Sequence, residues 1–173
     1  MTPGNMAGLF IARVVEVDDP ARQGRIKVEF PWLDASLKTH WVSVAGPLAG
    51  KDRGIYFMPE IGDEVLVGFL HADFNHPVVL AGMWNGQAPS PSPDPRQRMI
   101  RSKNGHTIRF VDSTPTNGDK GALIIEDAHG NTILMCNTHV TVSAKAVLQL
   151  DAPVVVIKGA GWSRTVTPSR NPI

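Results

Sequence analysis

Several residues in this 173-residue chain are of types that do chemistry. His106 and His129 flank two similar glycine turns, at positions that read as equivalent. Three copies on one axis would bring together three imidazoles of each kind, and three imidazoles can hold a metal ion. Beside turns, however, both rings are expected in water, and no metal is assigned. His71, Asp73 and His76 cluster around Asn75. A His–Asp pair can activate a nucleophile, but no motif supplies one here, so the cluster reads as a loop between strands. Glu126 and Asp127 are adjacent acids. Neighbouring strand residues point to opposite faces, which prevents them from sharing one substrate as acid and base. The single cysteine, Cys136, has the parity of the apolar positions that come after it and is expected as a small buried side chain. One cysteine also excludes a disulfide framework and a multi-cysteine zinc site within one chain. Trp32, Trp41 and Trp84 are rings on which bases or sugars can stack. No catalytic residue and no cofactor is assigned.

The elements that would carry these residues are strands. Gly (16) and Pro (14) are scattered along the chain, and apolar residues alternate instead of recurring at helical spacing. Phe10, Ala12, Val14 and Val15 open a strand that Asp18-Asp19-Pro20 closes. Arg25-Ile26-Lys27-Val28-Glu29-Phe30 alternates cleanly, so Ile26, Val28 and Phe30 face a core and the charged residues face water. Further strands are predicted at 41–44, 54–58, 64–69 and 77–84. Short strands at regular spacing predict a small barrel over 1–86, with Val65, Val67 and Val79 joining Ile26, Val28 and Phe30 in its core. Residues 87–98 carry Pro89, Pro91, Pro93 and Pro95 and read as an extended linker.

Beyond the linker, Asn104-Gly105-His106-Thr107-Ile108 resembles His129-Gly130-Asn131-Thr132-Ile133, a weak internal repeat in which a glycine turn opens a strand. From 140 to 156 every even position is apolar: Val140, Val142, Ala144, Ala146, Leu148, Leu150, Ala152, Val154 and Val156. Thr141, Ser143, Lys145, Gln149 and Asp151 lie between them. This alternation is much longer than a typical strand of about 5–6 residues. A lone ribbon cannot cover its own apolar face or its open edges. Three copies wound about one axis would cover both, with the small alanines suited to a narrow centre. The alternative is an ordinary sheet packed on the first domain.

Gly24-Arg25-Ile26-Lys27-Val28-Glu29-Phe30-Pro31-Trp32, Trp41-Val42-Ser43-Val44, the run from Pro59-Glu60-Ile61-Gly62-Asp63 through Phe69, and Pro77-Val78-Val79-Leu80-Ala81-Gly82 succeed one another in an order and spacing that resemble a known barrel. It is the oligonucleotide/oligosaccharide-binding-fold (OB-fold) barrel of phage baseplate assembly protein V and of the VgrG proteins of type VI secretion. Arg98-Met99-Ile100-Arg101-Ser102-Lys103-Asn104-Gly105-His106 resembles that family's entry into its spike. The resemblance implies an all-β protein: the barrel, then a trimeric triple-stranded β-helix needle over 99–160, then a tip segment over 161–173. It implies a non-enzymatic structural spike that docks on a hub and pierces a target envelope. VgrG proteins begin with hub domains and this chain begins at the barrel, so the hub is expected as a separate protein. The position where some phage spikes carry a lysozyme holds only the linker. There is no His-x-His for a tip iron, so a separate PAAR-type tip protein is expected on Gly159, Gly161 and Trp162.

The other reading is a nucleic-acid or glycan-binding module. It needs a basic groove with aromatic platforms. A formal net charge of +1 and 6 % aromatic residues argue against it, and no nucleic-acid partner is assigned. No secretory signal and no apolar run of roughly 20 residues is visible. Assembly in the cytoplasm into a virion or injection particle is expected, with the target membrane met only transiently.

Overall fold

The computed structural model describes residues 7–113 and 119–166, which divide into two units between Ser90 and Pro91. Unit 1 holds β1 (Leu9–Glu16), β2 (Arg25–Phe30), β3 (Asp34–Lys38), β4 (Val42–Val44), β5 (Ala49–Gly50), β6 (Arg53–Gly54), β7 (Glu64–Phe69) and β8 (Pro77–Met83). Five of these strands close a ring in the order β1-β7-β8-β4-β2 and back to β1. All pairs are antiparallel except β4 with β8. This is the connectivity of a five-stranded Greek-key barrel. One strand serves two partners because β1 bends: Leu9–Arg13 pair with β7, and a bulge between Val14 and Glu16 turns the rest onto β2. Strand β3, which pairs with β2, is not among the strands expected from sequence, since Asp34, Ser36 and Lys38 alternate only with Ala35 and Leu37 and the segment has no β-branched or aromatic residue.

Period two decides what lies inside. Ile26, Val28, Phe30, Val65, Val67 and Val79 are fully buried, with Ala12, Val14 and Val42 almost so. Phe10, Phe30, Phe69 and Phe74 stack or tilt against one another at one end of this core. The turn after β1 is tied by Asp19. Its carboxylate accepts the amides of Ala21 and Gln23 and takes Arg25 through Nε (3.0 Å) and Nη2 (2.8 Å). Arg25, more than the backbone donors, holds this carboxyl well below the usual carboxylate range. The predicted strand at 54–58 does not form. Only Arg53–Gly54 pairs, with Ala49–Gly50, and Ile55, Tyr56 and Phe57 are exposed. That run is apolar throughout, so it has no polar face to turn to water and nothing that fixes a strand register.

Unit 2 holds β9 (Gln97–Arg101), β10 (Thr107–Val111), β11 (Ala122–Glu126), β12 (Thr132–Met135) and β13 (Val140–Ser143), an antiparallel meander in which each strand pairs with its sequence neighbour. A separate hairpin comes next, β14 (Val155–Gly159) with β15 (Trp162–Val166). The end of the predicted linker already belongs to β9, and Asp94 turns the chain into it by accepting the Arg96 amide and side chain. The ribbon predicted over 140–156 is not one strand within a single chain. It is strand for Val140–Ser143, leaves strand conformation over 144–154, and resumes at β14. The physical reason is pairing: β13 is the edge of the meander, and alternation alone does not supply the hydrogen-bond partners a long strand needs. Of the predicted tip segment, 161–166 is described and 167–173 lies outside the described residues.

Candidate assembly surface

The register of the meander sorts its side chains onto two faces, because residues directly opposite in an antiparallel pair point the same way. One row across the sheet is Ile100, Ile108, Ile125, Ile133 and Val142. The next is Arg98, Phe110, Leu123, Met135 and Val140. Nine of these ten side chains are apolar, counted from the two rows. Among the described residues Leu123 is half-buried and the other apolar members are exposed: Phe110 is 50 % exposed, Val142 52 % and Val140 67 %. A half-exposed side chain of this kind forgoes on the order of 1 kcal/mol, so a continuous face of them is costly to leave in water. The opposite face carries Met99, Arg101, Thr107, Arg109 and Glu126 and is largely polar. The repeated alternation of Ile108 with Phe110, Leu123 with Ile125 and Ile133 with Met135 is visible in the sequence. Ile124 and Leu134, apolar on the other face, obscure it.

The sequence-assigned trimer-core positions divide. Val140 and Val142 lie on this face. Ala144 is half-buried, and Ala146, Leu148, Leu150, Ala152, Val154 and Val156 are exposed, the last in β14. Parity shifts at the hairpin: in β12 the odd residues Ile133 and Met135 share the face, in β13 the even ones. Cys136 therefore does not belong to the apolar row. It opens the turn to β13, its amide bonding the His139 carbonyl and its Sγ lying 3.6 Å from His139 Nδ1. Of the tip residues, Gly159 pairs with Trp162 across the last hairpin, and the Trp162 indole occupies the space where a Cβ on Gly159 would stand.

The two repeat turns are built alike. Ser102 donates its amide to the His106 carbonyl, accepts Gly105 N–H on its own carbonyl and accepts His106 N–H on Oγ. Asp127 makes the same three bonds with Asn131, Gly130 and Asn131, the last through Oδ1. Gly105 and Gly130 take positive φ, 96° and 84°, which closes each turn without the strain a side chain would add. The equivalence drawn between His106 and His129 fails: His106 matches Asn131, and His129 matches Asn104. Each turn also clasps a later segment of chain. His106 Nδ1 accepts the Ala128 amide at 3.2 Å, and Asn131 Oδ1 accepts the Lys145 amide at 2.8 Å. The Asn131 side chain, with the backbone amides of Asn131 and His129, holds the Asp127 carboxyl below its ordinary value. Glu126 meanwhile faces Arg109 at 3.6 Å, so the two acids have separate partners.

In the barrel, His76 Nδ1 meets Asp73 Oδ2 at 2.8 Å, and Asp73 also accepts from Asn75. These bonds, with His76 N–H to the Asp73 carbonyl and Leu70 N–H to the His76 carbonyl, close the β7–β8 loop on itself. A backbone bond from Asn75, then His76, lowers the Asp73 carboxyl. His71 takes φ 55° in the same loop. The three tryptophans do not form one platform. Trp32 stacks on Phe10 and donates to the Ile11 carbonyl, and Trp84 is exposed beyond β8. Trp41 carries Lys27 over its ring and alone of the three lines a cleft of about 410 Å³ with His40, Phe74 and His76.

Residues 10–84, which contain the whole closed ring, match the family model described as the Type VI secretion system/phage-baseplate injector OB domain. Over this domain the chain is similar to the baseplate and VgrG spike proteins. Its similarity to individual members is local. It is 33 % identical over 89 residues to the type VI secretion system spike protein VgrG3 of Vibrio cholerae, covering 48 % of this chain and 9 % of that protein. It is 42 % identical over 60 residues to VgrG2a of Pseudomonas aeruginosa, covering 32 % and 7 %. With VgrG5 of the same species it shares 32 % over 112 residues, covering 62 % and 13 %. The chain thus spans a small fraction of these relatives. Within the baseplate-type barrel, the apolar residues Leu9 and Leu80 close over Gly68 on the outer wall, 3.3 and 3.4 Å from where its Cβ would be. Among the described residues no helix is long and apolar enough to cross a membrane, and no three metal-ligating side chains converge.

Proposed function

We propose that this protein is the central spike of a contractile injection baseplate, acting as a homotrimer without enzymatic activity. In this reading the barrel sets the threefold arrangement and docks on a separate hub protein, with Leu9, Ile11 and Leu80 on its exposed outer wall. The meander and the residues from 144 to 160 wind with their counterparts into a triple-stranded needle. A PAAR-type protein caps the end at Gly159, Gly161 and Trp162, and sheath contraction drives the assembly through the target membrane. The chain is assembled in the cytoplasm and works at the tail tip. One observation carries the reading: a chain with a baseplate injector-type barrel presents, next to it in sequence, a continuous apolar sheet face that the described residues leave largely exposed. Closure by copies of itself would remove that face from water and pair the meander's open edges.

The test is the solution mass by light scattering, then electrophoresis in mild SDS without boiling. A trimer that survives the detergent is expected. A stable monomer overturns the proposal. The binding-module alternative has one footing, the cleft that holds Lys38, His40 and Trp41. Titration of a single-stranded oligonucleotide with tryptophan fluorescence separates the two. The spike reading expects no saturable change at about 150 mM salt, and a salt-dependent quench would favour the alternative.

A further inference from the structure

The polar face of the meander contains a built cavity. It is an open cleft of about 630 Å³ within unit 2, lined by the sheet, the proline segment 91–93 and the two repeat turns. Thr107 lines it and is only 9 % exposed, yet its hydroxyl has no hydrogen-bond partner among the described residues. Arg109, its neighbour on the same face, has its Nε–H buried and equally without a partner. Buried donors left unmet are rare and costly, and two in one cavity point to a missing acceptor. The local acids do not supply it. Glu126 meets the far end of Arg109 at 3.6 Å, and Asp127 is occupied by its own turn. Arg101 adds a second guanidinium to the lining.

We propose that this cavity binds the carboxylate of an acidic peptide segment. A carboxylate offers two oxygens to an arginine fork and can take a hydroxyl donor as well. The lining excludes the other candidates on chemical grounds. No Phe, Tyr or Trp lines it for a sugar or a base to stack on. Glu126 and Asp127 in its lining repel a dianionic phosphate more than a single carboxylate. Pro91, Pro93 and Met99 give an apolar flank for the stem of a glutamate and the chain that carries it. The cavity lies on the face opposite Ile108 and Phe110, so association through the apolar face leaves it open.

The test is a titration of the isotope-labelled full chain, monitored by NMR, with three probes: a hexapeptide of glutamates, the same hexapeptide of glutamines, and acetate. Saturable shifts at the Thr107 amide and Arg109 Nε–H are expected with the glutamate peptide alone. Thr107→Val and Arg109→Lys, which keep shape and charge respectively, are each expected to weaken its binding about tenfold. Arg101→Gln, on an exposed side chain, serves if either of these fails to fold, and is expected to weaken binding in the same sense. No binding of the glutamate peptide, equal binding of the glutamine peptide, or unchanged affinity in the variants would overturn the proposal. Binding of acetate as tight as that of the peptide would overturn its assignment to a polypeptide.

Discussion

Asp127 shows how much one side chain organises in this protein. Its carboxylate accepts the amides of His129 and Asn131 and the Asn131 side chain, and the turn so formed places Asn131 to receive the Lys145 amide. These bonds favour the ionised form and lower its pKa in the folded state. Their contribution is fully present above the unfolded value of about 3.9, and is lost as the pH falls through the lower folded value. Hydrogen exchange at the His129 and Asn131 amides is therefore expected to lose protection only below about pH 4. Asp127→Asn should flatten that dependence, and an unchanged acid limb would count against the assignment. Ser102 makes the first turn with a hydroxyl, so that turn should show no such dependence.

At the scale of elements, the barrel depends on a few interior rings and chains of valine. Phe30 is fully buried and touches Phe69, Phe74 and Trp32. Phe30→Ala is expected to cost about 3–5 kcal/mol in urea unfolding of the barrel; a cost below about 1 kcal/mol would mean that the cluster repacks. The strands of this barrel are legible in the sequence because Arg25 to Phe30 and Glu64 to Phe69 each bury one face and wet the other. The segment 54–58 misleads because apolar composition without alternation carries no register. Strand β3 is hidden because its reason lies in its neighbour β2. In unit 2 the glycine turns are readable. The alternation within single strands is readable too, but not the face it makes, since that face is assembled from five strands whose parity changes from hairpin to hairpin, and the longest alternating run lies mostly outside it.

At the scale of the whole molecule, the assembly proposal turns on which face of the meander meets a partner. Val142 and Thr141 are adjacent, both exposed in the single chain, and on opposite faces of β13. A charge at either should fold equally well within one chain. Val142→Glu is expected to reduce the trimer to monomer in light scattering, and Thr141→Glu is expected to leave it intact. Equal effects of the two would show that the apolar face is not the interface.

The pairing of β1 also governs the order in which the chain can become itself. Phe10 finds its partner in Val67, and the parallel seam joins Ser43 to Val78. During synthesis the barrel has no closed form until β8 has left the ribosome, and its first strand waits longest for its second neighbour. The meander is the reverse. Each of its strands pairs with the one made just before it, so it can grow hairpin by hairpin as translation proceeds. A nascent chain halted just after Phe69 would therefore carry an open sheet, and one released after Ser143 would carry the barrel and the meander with their strand pairings complete.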